Sequence, residues 1–324
     1  MASETARAQP NIWVVTDGKA GMESQCVGLA EALGVTPIVK RVGLRSPWKQ
    51  LTPYVRFGGR AQFASGGDAL TPPWPDLLIA TGRHSVAASL LVKRLSGGRT
   101  ITVQLQNPVI APSHFDLVVV PCHDRLEGAN VVETRGALHR VTPELLAAGA
   151  AKLAPRVAHL KRPYISVLIG GSNAVYRLGA AEMTALAAQL VHAARENSAS
   201  LLITPSRRTG TENLRILKAA LGATPHFLWD GEGDNPYFGL LALADFLVVT
   251  GDSVNMVSEA ASTAKPVYVA QLPGVSEKFA RFHRLLRDDG VTRAFPAPLE
   301  NYAYKPLDDV AAVAVRVAAL LRAP

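Results

Sequence analysis

Cysteine is scarce: the 324 residues hold only Cys26 and Cys122, with no C-x-x-C pair. Two isolated thiols cannot build a disulfide framework, and they suit a reducing compartment. No run of eighteen uninterrupted apolar residues occurs, so nothing reads as a membrane-spanning helix. The opening Met1 to Pro10 is polar and has no apolar centre, so the expectation is no secretory signal and a cytoplasmic protein. Aromatics make up 6% and form no stripe interleaved with basic residues, which argues against nucleic acid as the partner. Walker A spacing, the GxGxxG fingerprint and any DxD pair are all missing. No cofactor and no metal site are expected, and an anionic leaving group would have to be stabilised by backbone N–H groups and basic side chains.

What remains is an ordinary globular composition, 48% hydrophobic and 19% charged, with a formal net charge of +8. The basic excess favours anionic partners. The length exceeds what one core usually supports, so two domains are expected. Short, nearly continuous apolar runs at residues 12–16, 77–81, 100–103, 117–120 and 130–132 read as strands covered on both faces. Residues 23–33 and 85–95 read as the helices between them. The pattern starts again at residues 164–169, 200–204, 226–229, 246–250 and 266–270, with helices over 180–194 and 213–221. Alternating strands and helices predict right-handed βαβ units and parallel sheets. The expected class is α/β: two Rossmann-like domains facing a cleft, over residues 1–150 and 151–306, with the boundary region in the proline-broken stretch 136–163. A last helix over 307–324 is expected to cross back to the first domain. Residues 58–75 read as a loop from their Gly and Pro content.

Polar residues gather at the strand ends, where open parallel sheets hold their ligands. Thr16-Asp17-Gly18-Lys19-Ala20-Gly21 offers a carboxylate, a cation and two glycines, or else a turn in which Asp17 caps the next helix. In Gly82-Arg83-His84-Ser85, Ser85 can cap a helix, but Arg83 and His84 stand at the positive end of that helix's dipole. Cations are poorly placed there unless an anion joins them. Gln104, Gln106 and Asn107 provide amides suited to sugar hydroxyls. Cys122-His123-Asp124 lacks the i,i+3 or i,i+4 spacing of metal ligands and reads as a loop lining the cleft.

In the second half, Gly170-Gly171-Ser172-Asn173 follows a strand and can present N–H groups to a diphosphate. Arg207 and Arg208 lie at the next strand end, and either is suited to contact a phosphate. The segment Thr250-Gly251-Asp252-Ser253-Val254-Asn255 leads into a helix capped by Asp252 or Ser253. Asn255 and Glu259 are four apart and share one face of it. A carboxylate there can accept both hydroxyls of a ribose.

These segments resemble the nucleotide-sugar half of GT-B glycosyltransferases, in the positions Gly170, Gly171, Ser172, Gly251, Ser253, Glu259 and Pro266. Nearly the whole chain resembles the family of the plant elongated-mitochondria fission factor. The strings that carry this are TDGKAG at Thr16, QCVGLAEALG at Gln25, ATGRHS at Ala80, QLQNP at Gln104, GGSN at Gly170 and VTGDSVNMVSEA at Val249. The resemblance implies a metal-independent glycosyltransferase with a nucleoside diphosphate sugar donor. Its donor site would comprise Gly170, Gly171, Ser172, Asn173, Arg207, Gly251, Ser253, Asn255 and Glu259. The acceptor, a hydroxyl compound with lipid-linked ones among the candidates, would meet Lys19, Arg83, Gln106 and Asn107. Where the peptidoglycan enzyme of the GT-B group carries a Gly-rich His loop, this chain has Asp17-Gly18-Lys19. Asp17 is therefore the first candidate base and His84 the second. Two other readings are a non-catalytic adaptor, as the plant member is, and a nucleotide-sugar epimerase. Lys40, Arg41, Arg45, Trp48, Lys49 and Arg56 form a basic cluster that raises peripheral contact with an anionic inner membrane.

Overall fold

The computed structural model describes residues 9–54 and 59–322. The chain divides into two compact units, one of Met1–Arg140 with Asp308–Pro324, the other of Val141–Leu307. In chain order the first unit holds β1 (Ile12–Thr16), α1 (Ala20–Ala32), β2 (Ile38–Arg41), α2 (Trp48–Leu51), β3 (Leu77–Thr81), α3 (Val86–Leu95), β4 (Ile101–Leu105), β5 (Leu117–Pro121) and β6 (Val131–Thr134). The second holds α4 (Pro143–Val157), β7 (Tyr164–Ile169), α5 (Ala180–Glu196), β8 (Ser200–Pro205), α6 (Thr211–Leu221), β9 (His226–Leu228), α7 (Tyr237–Leu243), β10 (Phe246–Thr250), α8 (Val254–Ala261), β11 (Val267–Ala270), α9 (Glu277–Asp288) and β12 (Thr292–Phe295). The final helix, α10 (Asp309–Arg322), belongs to the first unit.

Each unit is built on a six-stranded sheet, in the orders β2-β1-β3-β4-β5-β6 and β12-β11-β10-β7-β8-β9, and every pairing is parallel. Counted from its own first strand, the second sheet runs 3-2-1-4-5-6 when read from β9, the doubly wound order of dinucleotide-binding folds. Chain direction across the sheet reverses between β1 and β3 in the first unit and between β7 and β10 in the second. Such switch points leave a crevice at the carboxyl ends of the strands.

Alternation along the strands explains the layers. Ile12, Val14, Leu77 and Ile79 pack against Cys26 and Leu29 of α1 and Val313 and Val317 of α10. Trp13, Val15, Leu78 and Ala80 face the other way, onto Ala88, Leu91 and Val92 of α3. In the second unit Ile165, Val167 and Ile169 meet α5 and α6, while Leu168, Leu247 and Val249 meet α8 and α9. A sheet covered on both faces needs continuous apolar strands, which is why the inner strands were visible in the sequence.

Six elements escape the sequence reading, the short helices α2 and α7 among them. β2 and β12 are short edge strands; Ile38 is 52% exposed, and polar Lys40, Arg41 and Arg293 break the apolar run. α4 lies within 136–163, the stretch expected to interrupt the periodicity. Pro143 stands in its first turn, where no N–H bond is needed, and Thr142 caps it by accepting Leu145 N at 3.2 Å. Residue 150 therefore falls inside a helix, and the units part at Arg140 instead. α9 (EKFARFHRLLRD) is so rich in charge that only its Phe282, His283 and Leu286 stripe is buried. Gly149 of α4 and Gly239 of α7 bring those two helices into backbone contact: a Cβ on either would lie 2.6 Å from the other's main chain. The loop expected over 58–75 includes a 3-10 turn at Gly59–Gln62, and Gly58 lies outside the described residues.

Candidate functional site

In the second unit the switch point is built around Asp252. Its side chain is fully buried, and Oδ2 pairs with Arg208 Nη1 at 2.7 Å and accepts Gly171 N at 3.1 Å. Oδ1 accepts the Thr250 hydroxyl at 2.7 Å, and Thr250 Oγ1 in turn accepts Gly170 N at 2.7 Å. Arg208 Nη1 also donates to the Gly171 carbonyl at 3.0 Å. The two glycines are required by this closeness. A Cβ on Gly170 would lie 2.2 Å from Asp252 Oδ1, and one on Gly171 would lie 2.1 Å from the Arg208 carbonyl oxygen.

This network corrects several expectations. The N–H groups of Gly170 and Gly171, expected to face a diphosphate, are donated inside the protein. Ser172 Oγ accepts Leu178 N at 2.9 Å, and Asn173 Oδ1 accepts Val175 N and Tyr176 N at 2.8 Å each, so these side chains shape the loop itself. Arg208, not Arg207, is fixed at the site; Arg207 is exposed and makes no hydrogen bond or ion pair with a described residue. Asp252 does not cap α8. Ser253 does, accepting Met256 N at 3.3 Å.

Asn255 lies in the first turn of α8, half-buried, and Glu259 one turn later is 8% exposed. Glu259 Oε2 accepts the Tyr237 hydroxyl at 2.5 Å. Burial, together with that carboxylate, holds the Tyr237 phenol well above its ordinary pKa. Beside Gly251 opens a cavity of about 300 Å³, lined by Tyr176, Gln271, Gly274, His283, Arg284 and Arg287 among others. Gln271 Oε1 and His283 Nε2 stand 3.2 and 3.4 Å from the place a Cβ on Gly251 would occupy. His283 donates from Nε2 to the Gly251 carbonyl at 2.7 Å, and burial pulls its pKa below the usual histidine value. None of these cavity residues carried a motif in the sequence. A strand end rich in Arg and His across α9 was the available signal.

In the first unit the loops after β1 and β3 meet. Asp17 Oδ2 lies 2.6 Å from Lys19 Nζ and 3.8 Å from His84 Nδ1. Asp17 Oδ1 accepts Lys19 N at 3.3 Å, and α1 starts at Ala20 with no side-chain cap. Gly18 and Gly82 both take positive φ, +83° and +80°. Ser85 does not cap α3; its hydroxyl donates to the Thr81 and Gly82 carbonyls at 2.7 and 2.9 Å. Arg83 Nη2 donates to the Lys49 carbonyl at 3.1 Å, which brings α2 to this site. Burial lowers the His84 pKa, Asp17 opposes that, and Lys19, Arg83 and Lys49 each lower it further.

Gln106 adopts a φ of +65°, and its Nε2 lies 3.5 Å from Gln25 Oε1. Asn107 Oδ1 accepts Val109 N at 2.8 Å, a local turn. Cys122-His123-Asp124 forms a 3-10 turn in which the His123 and Asp124 side chains are each 2% exposed, so these two are buried rather than lining an open surface. In the basic cluster, Arg41 is held by both oxygens of Glu23 at 2.7 and 2.9 Å, and Lys40 donates to the Ala69 carbonyl over the Trp13 ring. Arg56 lies outside the described residues. Among the described residues no helix is long and apolar enough to cross a membrane.

A family model described as mitochondrial fission ELM1 matches residues 20–321. The mitochondrial fission protein ELM1 of Arabidopsis thaliana is 33% identical over 270 residues, covering 75% of this chain and 63% of the plant protein, less than two thirds of its length. An uncharacterised protein of Rickettsia prowazekii (strain Madrid E) is 26% identical across 94% of this chain and 96% of its own. Among solved structures, a UDP-N-acetylglucosamine 2-epimerase-like protein of Listeria monocytogenes superposes with a TM-score of 0.53, at 13% identity over 96% of this chain and 95% of that one. The UDP-GlcNAc 2-epimerase of Neisseria meningitidis, bound to UDP-GlcNAc, gives 0.52 at 13% identity over 97% and 100%. The glycotransferase of kitacinnamycin gives 0.50 at 14% identity over 97% and 91%. The shared feature is the fold: two Rossmann-like units with parallel sheets.

Proposed function

The chain belongs to the mitochondrial fission ELM1 family, and we propose that this member is a GT-B-type glycosyltransferase that takes a nucleoside diphosphate sugar. The observation that carries the proposal is the pre-built network at the β7/β10 switch point, where the Asp252–Arg208 pair stands beside the start of α8 and the cavity next to Gly251. A doubly wound sheet binds nucleotides at this point. The first-turn N–H groups of α8 and the partly exposed Arg208 and Arg207 are the groups suited to the diphosphate. Glu259 and Asn255, on one face of α8, are assigned to the ribose. The cavity of Gln271, His283 and Arg284 is assigned to the base.

The acceptor hydroxyl is assigned to the first unit. Asp17 is the candidate base, with His84 beside it, and Lys19, Arg83, Gln106 and Asn107 face the acceptor. No cofactor enters this scheme. Chemically, Asp17 takes the acceptor proton, the acceptor oxygen bonds to the anomeric carbon, and the nucleoside diphosphate leaves with the electron pair of the broken bond.

The epimerase reading has a specific support of its own, since solved structures of this fold include 2-epimerases. Two measurements separate the readings. A thermal-shift screen against nucleotides and nucleotide sugars identifies the donor, because a ligand of the native state raises its stability. Turnover is then followed with and without acceptor. Release of nucleoside diphosphate that requires acceptor supports transfer, and a changed nucleotide sugar without acceptor supports epimerisation. Nucleotide binding with neither outcome supports an adaptor, and no nucleotide binding at all ends the proposal.

A further inference from the structure

The carboxyl end of the first sheet carries a charge imbalance that the protein itself leaves uncompensated. Asp17 lies 3.8 Å from His84, and Arg83, next to His84 in the chain, donates to the Lys49 carbonyl, so Lys19, Arg83 and Lys49 gather at this strand end around the one carboxylate Asp17. Asp17 is already paired with Lys19 at 2.6 Å. Arg83 spends one nitrogen on the Lys49 carbonyl, and neither Arg83 nor Lys49 has a carboxylate partner among the described residues. Lys19 directly precedes α1, and Arg83 and His84 form the 3-10 turn that leads into α3, so the free N–H groups of these first turns add positive potential; Glu23, the acidic residue in the first turn of α1, is already held by Arg41.

A cavity at the amino ends of β7, β8 and β9 in the second unit provides the contrast. His159, Lys161 and Arg195 line it, but they stand where α4 and α5 end, and helix carbonyls balance them. At the first unit's switch point the helix starts have the same sign as Lys19, Arg83 and Lys49.

A second observation at this strand end points to a ligand. Thr81, the last residue of β3, is 1% exposed, and its hydroxyl has no hydrogen-bond partner. Strand alternation puts Thr81 on the same face as Ile79, the face of the sheet that α1 covers. It can donate to an oxyanion. Gly82 at φ +80° lets the chain turn directly above it.

We infer that this strand end is an anion site for a phosphate-bearing ligand, with Arg83, Lys49 and Lys19 as its cations, the α1 and α3 starts as its N–H donors, and Thr81 as a hydroxyl donor. Arg83 is suited to grip two oxygens of one phosphate, and Lys49 supplies a point charge beside it. The binding claim stands without the transferase reading; only the identification of the ligand as the acceptor rests on that reading, and it makes the acceptor a phosphate ester or diphosphate.

The test uses the full chain with labelled histidines and inorganic pyrophosphate as the probe. NMR titration reads the His84 ring directly, and His283 in the second unit reports on any pyrophosphate bound there instead. The expected result is a His84 pKa that rises by on the order of half a unit or more on saturation, because an added anion favours the protonated ring. Pyrophosphate affinity at this site should fall at least about tenfold in Lys49→Ala/Arg83→Ala, in which both altered side chains are exposed. Lys49→Met alone, which keeps the backbone carbonyl that Arg83 uses, should fall part of the way. A His84 ring unmoved by millimolar pyrophosphate would overturn the inference. So would an equal response to acetate at matched ionic strength, which would reduce the effect to general screening, and so would an unchanged response in the double variant. Loss of nucleotide binding in the second unit would leave this result untouched.

Discussion

At the second unit's switch point, Asp252 has 0% of its side chain exposed and is held by an arginine, a hydroxyl and a backbone N–H. At the first unit's, Asp17 keeps 16% exposure, and its main partner, Lys19, keeps 64%. Both clusters occupy the same topological position in a parallel sheet. One is complete before any ligand arrives, with its loop glycines, hydroxyls and carboxylate consumed by internal bonds. The other gathers cations and helix starts without enough negative charge to match them. The difference teaches that a polar strand end can be a scaffold or an unfinished site, and that the count of internal partners tells which.

The largest effects should fall on the scaffold. Asp252→Ala leaves Gly171 N and the Thr250 hydroxyl without their acceptor and Arg208 with the Gly171 carbonyl alone. It should destabilise the second unit by about 2–4 kcal/mol, at the lower side of values for buried pairs because Arg208 is 39% exposed. Gly171→Ala should cost about 3 kcal/mol or more, since its Cβ would run into backbone at 2.1 Å. The matched changes in the first unit should be milder. Asp17→Ala should cost less than about 1 kcal/mol, as an exposed pair does. Gly18→Ala, with Arg41 Cδ as its nearest neighbour at 3.8 Å, should cost only the roughly 1–2 kcal/mol of its positive φ. Urea unfolding of the four variants measures the set. Equal losses in the two units would break the comparison.

Next in size are effects on ligands, which should invert the order. Asp17→Asn should slow turnover about 100-fold or more and leave nucleotide affinity nearly intact. Glu259→Gln keeps an acceptor for the Tyr237 hydroxyl but removes the charge, and should weaken nucleotide binding by about tenfold. Calorimetry with the nucleotide found in the screen reads the second, and a turnover assay reads the first. If Asp17→Asn weakened nucleotide binding as much as Glu259→Gln, the division of labour between units would be wrong.

The sequence disclosed the inner strands and the strand-end loops because both have local signatures: continuous apolar runs in one case, glycine with clustered polar residues in the other. It also put Asp17 and His84 at strand ends of the same half, and the sheet order then makes those strands neighbours. It did not disclose who bonds to whom. Gly170 and Gly171 looked like phosphate-binding glycines, but their partners Thr250 and Asp252 lie 80 and 81 residues further along. Arg207 and Arg208 differ only in the side of a turn on which each falls, which no composition records. Lys49 was legible as part of a basic cluster, not as a partner of Arg83, because that hydrogen bond depends on how α2 folds back.

The smallest effect concerns protons and compares His84 with His283. Burial lowers both, but His283 is 4% exposed and is fixed to the Gly251 carbonyl, whereas the His84 side chain is 28% exposed and feels four charged neighbours. A histidine with a lowered folded pKa stays neutral while the unfolded chain takes up a proton. Its contribution therefore makes the fold less stable as pH falls below about 6.5, and it has no effect above that. Lys49→Met removes one of the cations acting on His84 and should raise its pKa by on the order of a few tenths of a unit, while Asp17→Asn should lower it further. Neither change should move His283, whose pKa is set by burial and by Gly251, Arg287 and Asp252 of its own unit. If His84 assists the base, the acid limb of kcat/KM should follow the same displacements, with its midpoint below 6.5 in the unaltered chain. An NMR titration in which Lys49→Met left His84 in place would remove Lys49 from the cluster and reduce the imbalance to Lys19 and Arg83.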